Sequence, residues 1–221
     1  MEFPGPVAAE FADVGSLNRA YLRLLTNTGE GRDLRSRLPA QVRDAVRAVS
    51  AVQQERLAQV PFLLLSLREQ DSDLWKRLLT GAAGRDLFTR ETPLTQPRQR
   101  LLLAALAYVW QLGRHNVYAA RLVCGASRQW CDLVASCPLP RFLDRAGERG
   151  DLLVPRFAHD AVVWQRLLTA GVAEDPGIRS AAHLTSLQTL LTRAAEPKAQ
   201  SLRSAACARK QPAATRNDRS R

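Results

Sequence analysis

The feature that most constrains this chain is an internal repeat. Residues 71–80 read DSDLWKRLLT and residues 160–169 read DAVVWQRLLT, so Asp, Trp, Arg, Leu, Leu and Thr coincide at an offset of 89. The chain holds only four tryptophans, and two of them, Trp75 and Trp164, fall at this one repeat position. Upstream, Leu63-Leu64 matches Leu152-Leu153 at the same offset, Asp44-Ala45-Val46 matches Asp132-Leu133-Val134 at 88, and Ala20-Tyr21-Leu22 matches Ala107-Tyr108-Val109 at 87. Two single-residue insertions in the second copy account for the drift. Such self-similarity implies one supersecondary unit used twice, and the two units are placed at about 15–80 and 101–169.

Each copy has the same pattern. It opens on an apolar helix (Leu17–Leu25, then Leu101–Leu112), the second apolar all round and therefore expected at the centre of the core. A helix with periodic apolar positions follows (Val42, Ala45, Val46, Val49; then Trp130, Leu133, Val134). Next comes a short helix, Gln53–Gln59 or Leu139–Ala146. The period then changes: PFLLLSL (61–67) and DLLVPRF (151–157) suit a brief buried strand or extended segment. The Trp-containing helix closes each copy. Asp71 and Asp160 precede it, where a carboxylate caps a helix and favours its dipole, and Trp75 and Trp164 are read as core anchors.

The fold class expected is mainly α, with two units of about five helices and one short extended segment each, forming a pseudo-dimer. The chain divides into an N-terminal lead (1–14), a first repeat (15–80), a Gly- and Pro-bearing linker loop (81–97), a second repeat (98–170), a C-terminal helix (171–195) and a disordered basic tail (196–221). Asp175-Pro176 is a good helix start. Leu184, Leu187, Leu190 and Leu191 then make an apolar stripe on a helix over 177–194. Two readings of it stay open: it closes the second core, or it offers a surface to another subunit, a homo-oligomer contact.

Composition narrows the function classes. With 46% hydrophobic and 24% charged residues, the 221-residue chain has an ordinary globular balance. No uncharged stretch is longer than Leu101–Gly113, which is short of the roughly 20 residues a membrane span needs. The start, MEFPGPVAAEF, shows no basic region and no apolar core, so the expectation is a cytoplasmic protein without a secretion signal or membrane partner. Cys124, Cys131, Cys137 and Cys207 form no C-x-x-C pair, so no metal site is expected, and the first three are read as small apolar helix residues.

The formal charge is +11. The last 26 residues hold seven of the basic residues against Glu196 and Asp218, and 29 of the 32 basic residues are Arg. GC-rich codon usage explains much of that skew, so the charge permits DNA binding without demanding it. Catalysis finds no support: His115, His159 and His183 are scattered, and no nucleophile elbow, phosphate-binding loop or dinucleotide motif is present. The chain is read as a non-enzyme without a cofactor.

The stretch NVYAARLVCGASRQWCDLVAS (116–136) is more informative. A short helix, Tyr118–Val123, meets Cys124-Gly125-Ala126, and Ser127 begins another. Gly125 suits the positive φ of a tight helix–helix turn, Ser127 is a good N-cap, and Ala120 is small enough for close helix packing. In a helix-turn-helix the first turn of the second helix faces the major groove. That arrangement aims Arg128 and Gln129 at base edges, with Arg121 and Arg114 available to phosphates. The alternative is an ordinary helical hairpin. Copy one lacks the glycine turn at Leu38-Pro39, so the DNA role is assigned to copy two.

Two segments resemble a known family. Leu17-Asn18-Arg19-Ala20-Tyr21-Leu22-Arg23-Leu24 is similar to the opening Leu-Asn-x-x-Tyr-Leu helix of the bacterial flagellar transcriptional regulator FlhD family. CDLVASCPLPRFLDRAGERGDLLVPRFAHD (131–160) is similar to the L-P-x-x-x-x-L-A-E-x-x-x-L-V-x-x-R-F-x-x-D segment of that family. Leu139-Pro140, Ala146, Glu148, Leu152, Leu153, Arg156, Phe157 and Asp160 carry the match, continued in copy one by Leu57-Ala58, Leu63-Leu64 and Asp71. The resemblance implies tandem FlhD-like helical units in one chain, a role as a bacterial transcription regulator or co-regulator, and a protein partner that bears zinc in trans, since this chain has no four-cysteine cluster. On this reading it contacts DNA weakly alone and more specifically with that partner. The alternative is a non-enzymatic protein-interaction module without DNA binding.

Overall fold

The structure is a computed structural model. It describes residues 8–27, 29, 31–81 and 96–208, with side chains between residues 11 and 194 within those ranges. In chain order the elements are α1 (Ala8–Thr26), α2 (Arg32–Ser36), α3 (Ala40–Ala48), α4 (Ala51–Ala58), β1 (Leu65–Ser66), α5 (Ser72–Thr80), α6 (Pro97–His115), α7 (Val117–Cys124), α8 (Arg128–Ser136), α9 (Leu139–Gly147), β2 (Val154–Pro155), α10 (Ala161–Leu168) and α11 (Pro176–Ala208). The fold is mainly α, and the two extended segments are two-residue strands. Short 3-10 turns stand at Gly150–Leu152 and Ala170–Val172.

Local chemistry sets the helix starts. Ser50 and Gln53 form a reciprocal capping box at α4. Asp71 Oδ1 accepts from the Leu74 N–H at 3.0 Å, and Asp160 Oδ1 accepts from the Val163 N–H at 3.0 Å. Asp175 Oδ1 accepts from the N–H groups of Gly177 and Ile178, with Pro176 in the first turn of α11.

The repeat recurs around the strands in backbone conformation and in the indole hydrogen bonds. Arg68 and Phe157, 89 residues apart, both hold positive φ, 55° and 54°. The Trp75 indole N–H donates to the Leu67 carbonyl at 3.2 Å, and the Trp164 indole N–H to the Arg156 carbonyl, the matching position, at 2.8 Å. β1 and β2 pair antiparallel, Leu65 with Pro155 and Ser66 with Val154, so each strand's first residue opposes the other's second. Strand pairing of this kind relates the two strands by a local two-fold axis.

The halves do not pack as separate cores. Trp75 on α5 lies edge-on to Trp130 of α8, centroids 5.5 Å apart, and stacks on Phe142 of α9 at 5.9 Å. In return α10 packs on α3. The last helix of each copy is thus buried against the other copy, and one hydrophobic cluster runs through both. α6 lies at its centre, touching α1, α7, α8 and α9, although Ala104 and Gln111 reach the surface.

A buried ion pair ties the halves together where the repeat diverges. The Arg156 guanidinium donates to Glu69 Oε1 and to the Cys124 carbonyl, both at 2.6 Å, and to the carbonyls of Leu63 and Leu65. Glu69 Oε2 accepts from Ser66 Oγ and the Leu67 N–H. Arg156 is 5% and Glu69 2% exposed, and their repeat counterparts are Leu67 and Ala158.

Two boundaries differ from expectation. α1 begins at Ala8, inside the stretch read as an N-terminal lead, and α11 continues to Ala208, into the stretch read as a disordered tail from Glu196. Residues 198–208 hold four Ala together with Lys, Gln, Leu and Arg, all good helix formers, and the helix runs on through Pro197. The linker stretch 82–95 and residues 209–221 lie outside the described residues. No helix among those described is long and apolar enough to cross a membrane.

Candidate nucleic-acid interface

The α7–α8 connection is built by four residues, each with a physical reason. Asn116 caps α7, its side chain accepting from the Ala119 N–H at 2.9 Å. Gly125 ends α7 at φ 62°, ψ 29°, the left-handed conformation that favours glycine. A Cβ there would lie 2.4 Å from Leu190 Cδ1, so the turn also admits a close approach of α11. Ser127 caps α8 by accepting from the Trp130 N–H at 3.2 Å. Ala120 is fully buried, as close packing requires. The Gly125 carbonyl accepts from the Gln70 side-chain amide at 2.6 Å, so copy one also braces the turn.

α8 buries Trp130, Cys131 and Val134 and exposes Arg128, Gln129 and Asp132. Arg128 and Gln129 therefore stand side by side on the open first turn. Arg121 is exposed on α7 and has no ion-pair partner among the described residues. Its charge acts on Cys131, whose thiol burial pushes up to about 12 against the opposing pull of that guanidinium.

Arg114 is placed differently. Its guanidinium lies over the Trp110 ring, 4.9 Å from the centroid, and the Trp110 indole N–H donates to the Cys137 carbonyl at 2.7 Å. Cys137 follows the last residue of α8, so Arg114 sits toward the end opposite Arg128 and Gln129. Of the four residues singled out in the sequence, Arg128 and Gln129 share the first turn of α8, Arg121 lies on α7, and Arg114 stands apart on α6.

Two features were passed over in the sequence. Asp132 lies 3.6 Å from Arg128 on the same exposed face, an i,i+4 pairing the spacing alone would have revealed. On the other half, α3 occupies the matching place to α8 and exposes Gln41, Arg43 and Arg47. Arg43 folds back onto the carbonyls of Ser36 and Leu38, closing the α2–α3 turn that lacks a glycine. Among the described residues no three His, Cys, Asp or Glu side chains stand together as a metal site would need. Cys124 on α7 and Cys131 on α8 are buried as apolar helix residues are, whereas Cys137 is half-buried just past the end of α8; burial raises the pKa of all three thiols. No protein family, curated protein or solved structure matches the chain.

Proposed function

We propose that the chain is a non-enzymatic bacterial transcription regulator or co-regulator of FlhD-like type, contacting DNA through the first turn of α8. The observation that carries this reading is the pair Arg128 and Gln129, held outward on a helix whose start is fixed by the Gly125 turn and the Ser127 cap. Arg121 supplies a neighbouring cation for phosphate, and a net charge of +11 supplies general attraction to nucleic acid. Arg and Gln read guanine and adenine edges bidentately in the major groove. A zinc-bearing protein partner would supply the specificity one short helix cannot.

Asp132 favours a second reading, an interaction module without DNA contact, because a carboxylate beside Arg128 repels phosphate. One experiment separates the two. Fluorescence anisotropy of the full chain on genomic duplex fragments, across a salt series, is compared with Arg128→Ala/Gln129→Ala. DNA reading predicts fragment-dependent binding that weakens with salt and loses about 1–3 kcal/mol for each good base contact removed. Equal affinity for every fragment, unchanged by both substitutions, overturns it and leaves the interaction module.

A further inference from the structure

We infer that the outward face of α11 is a self-association surface, which pairs two copies of this chain antiparallel about Gln188. The leucine stripe is divided by the fold. Leu190 packs on Gly125 and Leu187 against the core, while Leu184 and Leu191 remain 58% and 39% exposed. With Ala181 and Gln188, also exposed, they recur at spacings of three, four and three residues, the seam of one helix against another. The occupant suited to such a seam is a helix.

The threonine hydroxyls flanking the seam are already satisfied. Thr185 Oγ1 donates to the Ala181 carbonyl and Thr192 Oγ1 to the Gln188 carbonyl, so both hydroxyls can lose water at little cost. Charge then selects the partner. No Asp, Glu, Lys or Arg lies between Arg179 and Arg193. Arg179 is turned onto the carbonyls of Ala173 and Glu174, and Arg193 is paired with Asp160. An acidic or basic partner finds no complement on the seam, whereas an equally neutral helix does.

The order of residues points to the same helix in a second copy. Reversed about Gln188, the seam brings Leu184 against Leu191 of the other copy and sets Gln188 against its own counterpart, where two amides donate and accept reciprocally. A two-fold contact demands this kind of self-complementary patch. The inference is independent of DNA binding and has the opposite salt dependence. Two copies at +11 repel through their bodies, so salt strengthens the dimer, whereas it weakens a protein–DNA complex.

Sedimentation of the full chain over a concentration range tests the proposal. The expected result is a reversible doubling of mass, favoured at high salt and lost in Leu184→Glu/Leu191→Glu, with circular dichroism confirming an intact fold. Cross-linking fixes the register, in a chain with Cys137 and Cys207 replaced by Ser. Gln188→Cys is expected to form a disulfide with its counterpart. Leu184→Cys is not, because antiparallel pairing displaces the two positions by about 12 Å along the helix, beyond the roughly 7 Å a disulfide spans. A chain monomeric at every concentration, a dimer untouched by the double glutamate variant, or a Leu184→Cys cross-link overturns the inference.

Discussion

At Gly125 two demands meet in one residue. The left-handed backbone, φ 62°, costs a side-chain-bearing residue about 1–2 kcal/mol. Independently, Leu190 comes so close that a methyl group would overlap its Cδ1 and Cγ, and overpacking a tight contact costs about 1–3 kcal/mol. Gly125→Ala is therefore expected to destabilise the fold by roughly the sum, about 2–5 kcal/mol. Leu190→Ala removes the overlap and leaves the backbone cost. In urea unfolding the double variant should lose less stability than the two single variants added together, and strict additivity would show that Leu190 does not press on the turn. The glycine was legible in the sequence as a turn residue. Its contact with Leu190 was not, because nothing in local pattern says that a helix 65 residues further on returns to cover it.

At the scale of elements, α11 is anchored by groups that periodicity marks only as polar. His183 is buried on its inner face, with Nε2 2.9 Å from the Gly171 carbonyl in the 3-10 turn after α10. Burial holds its pKa below the ordinary 6.5, and Arg179 acts in the same direction, while the bond to Gly171 opposes them. The unfolded chain thus takes up a proton near pH 6.5 that the folded chain still refuses. Stability is retained above that pH and falls as the pH drops through 6.5 toward the lower folded pKa. Thermal unfolding at neutral and at mildly acid pH should show a smaller acid loss in His183→Gln than in the unaltered chain; an equal loss in both would remove His183 as its source. The helices themselves were largely readable, since Ser127, Asp160 and Asp175 carry their caps in local sequence. Their partners were not: Trp75 meets Trp130 and Phe142 from the other repeat, a pairing that the 3.6-residue period cannot encode. The candidate site divides in the same way. The turn and the exposed Arg128-Gln129 pair follow from short-range pattern, whereas the displacement of Arg114 depends on Trp110 reaching the far end of α8.

Across the whole molecule, the repeat gives two nearly equivalent halves, and the Arg156–Glu69 pair makes them unequal. Each partner comes from a different half, and each counterpart, Leu67 or Ala158, has no charge. Removing one member leaves a buried charge without its partner, which costs about 3–5 kcal/mol. Arg156→Leu is expected to approach that figure because Glu69, 2% exposed, keeps only Ser66 Oγ and the Leu67 N–H. In Arg156→Leu/Glu69→Ala no buried charge is left behind, so the double loss should fall clearly below the sum of the single losses. Because α5 and α10 are exchanged and a single cluster spans both halves, neither half has a complete core of its own. Urea unfolding followed by tryptophan fluorescence should therefore coincide with unfolding followed by far-ultraviolet circular dichroism, in one transition. Arg156→Leu should move that transition to lower urea without splitting it. Two separated transitions would mean that each repeat folds on its own and that the ion pair only decorates a contact between finished domains.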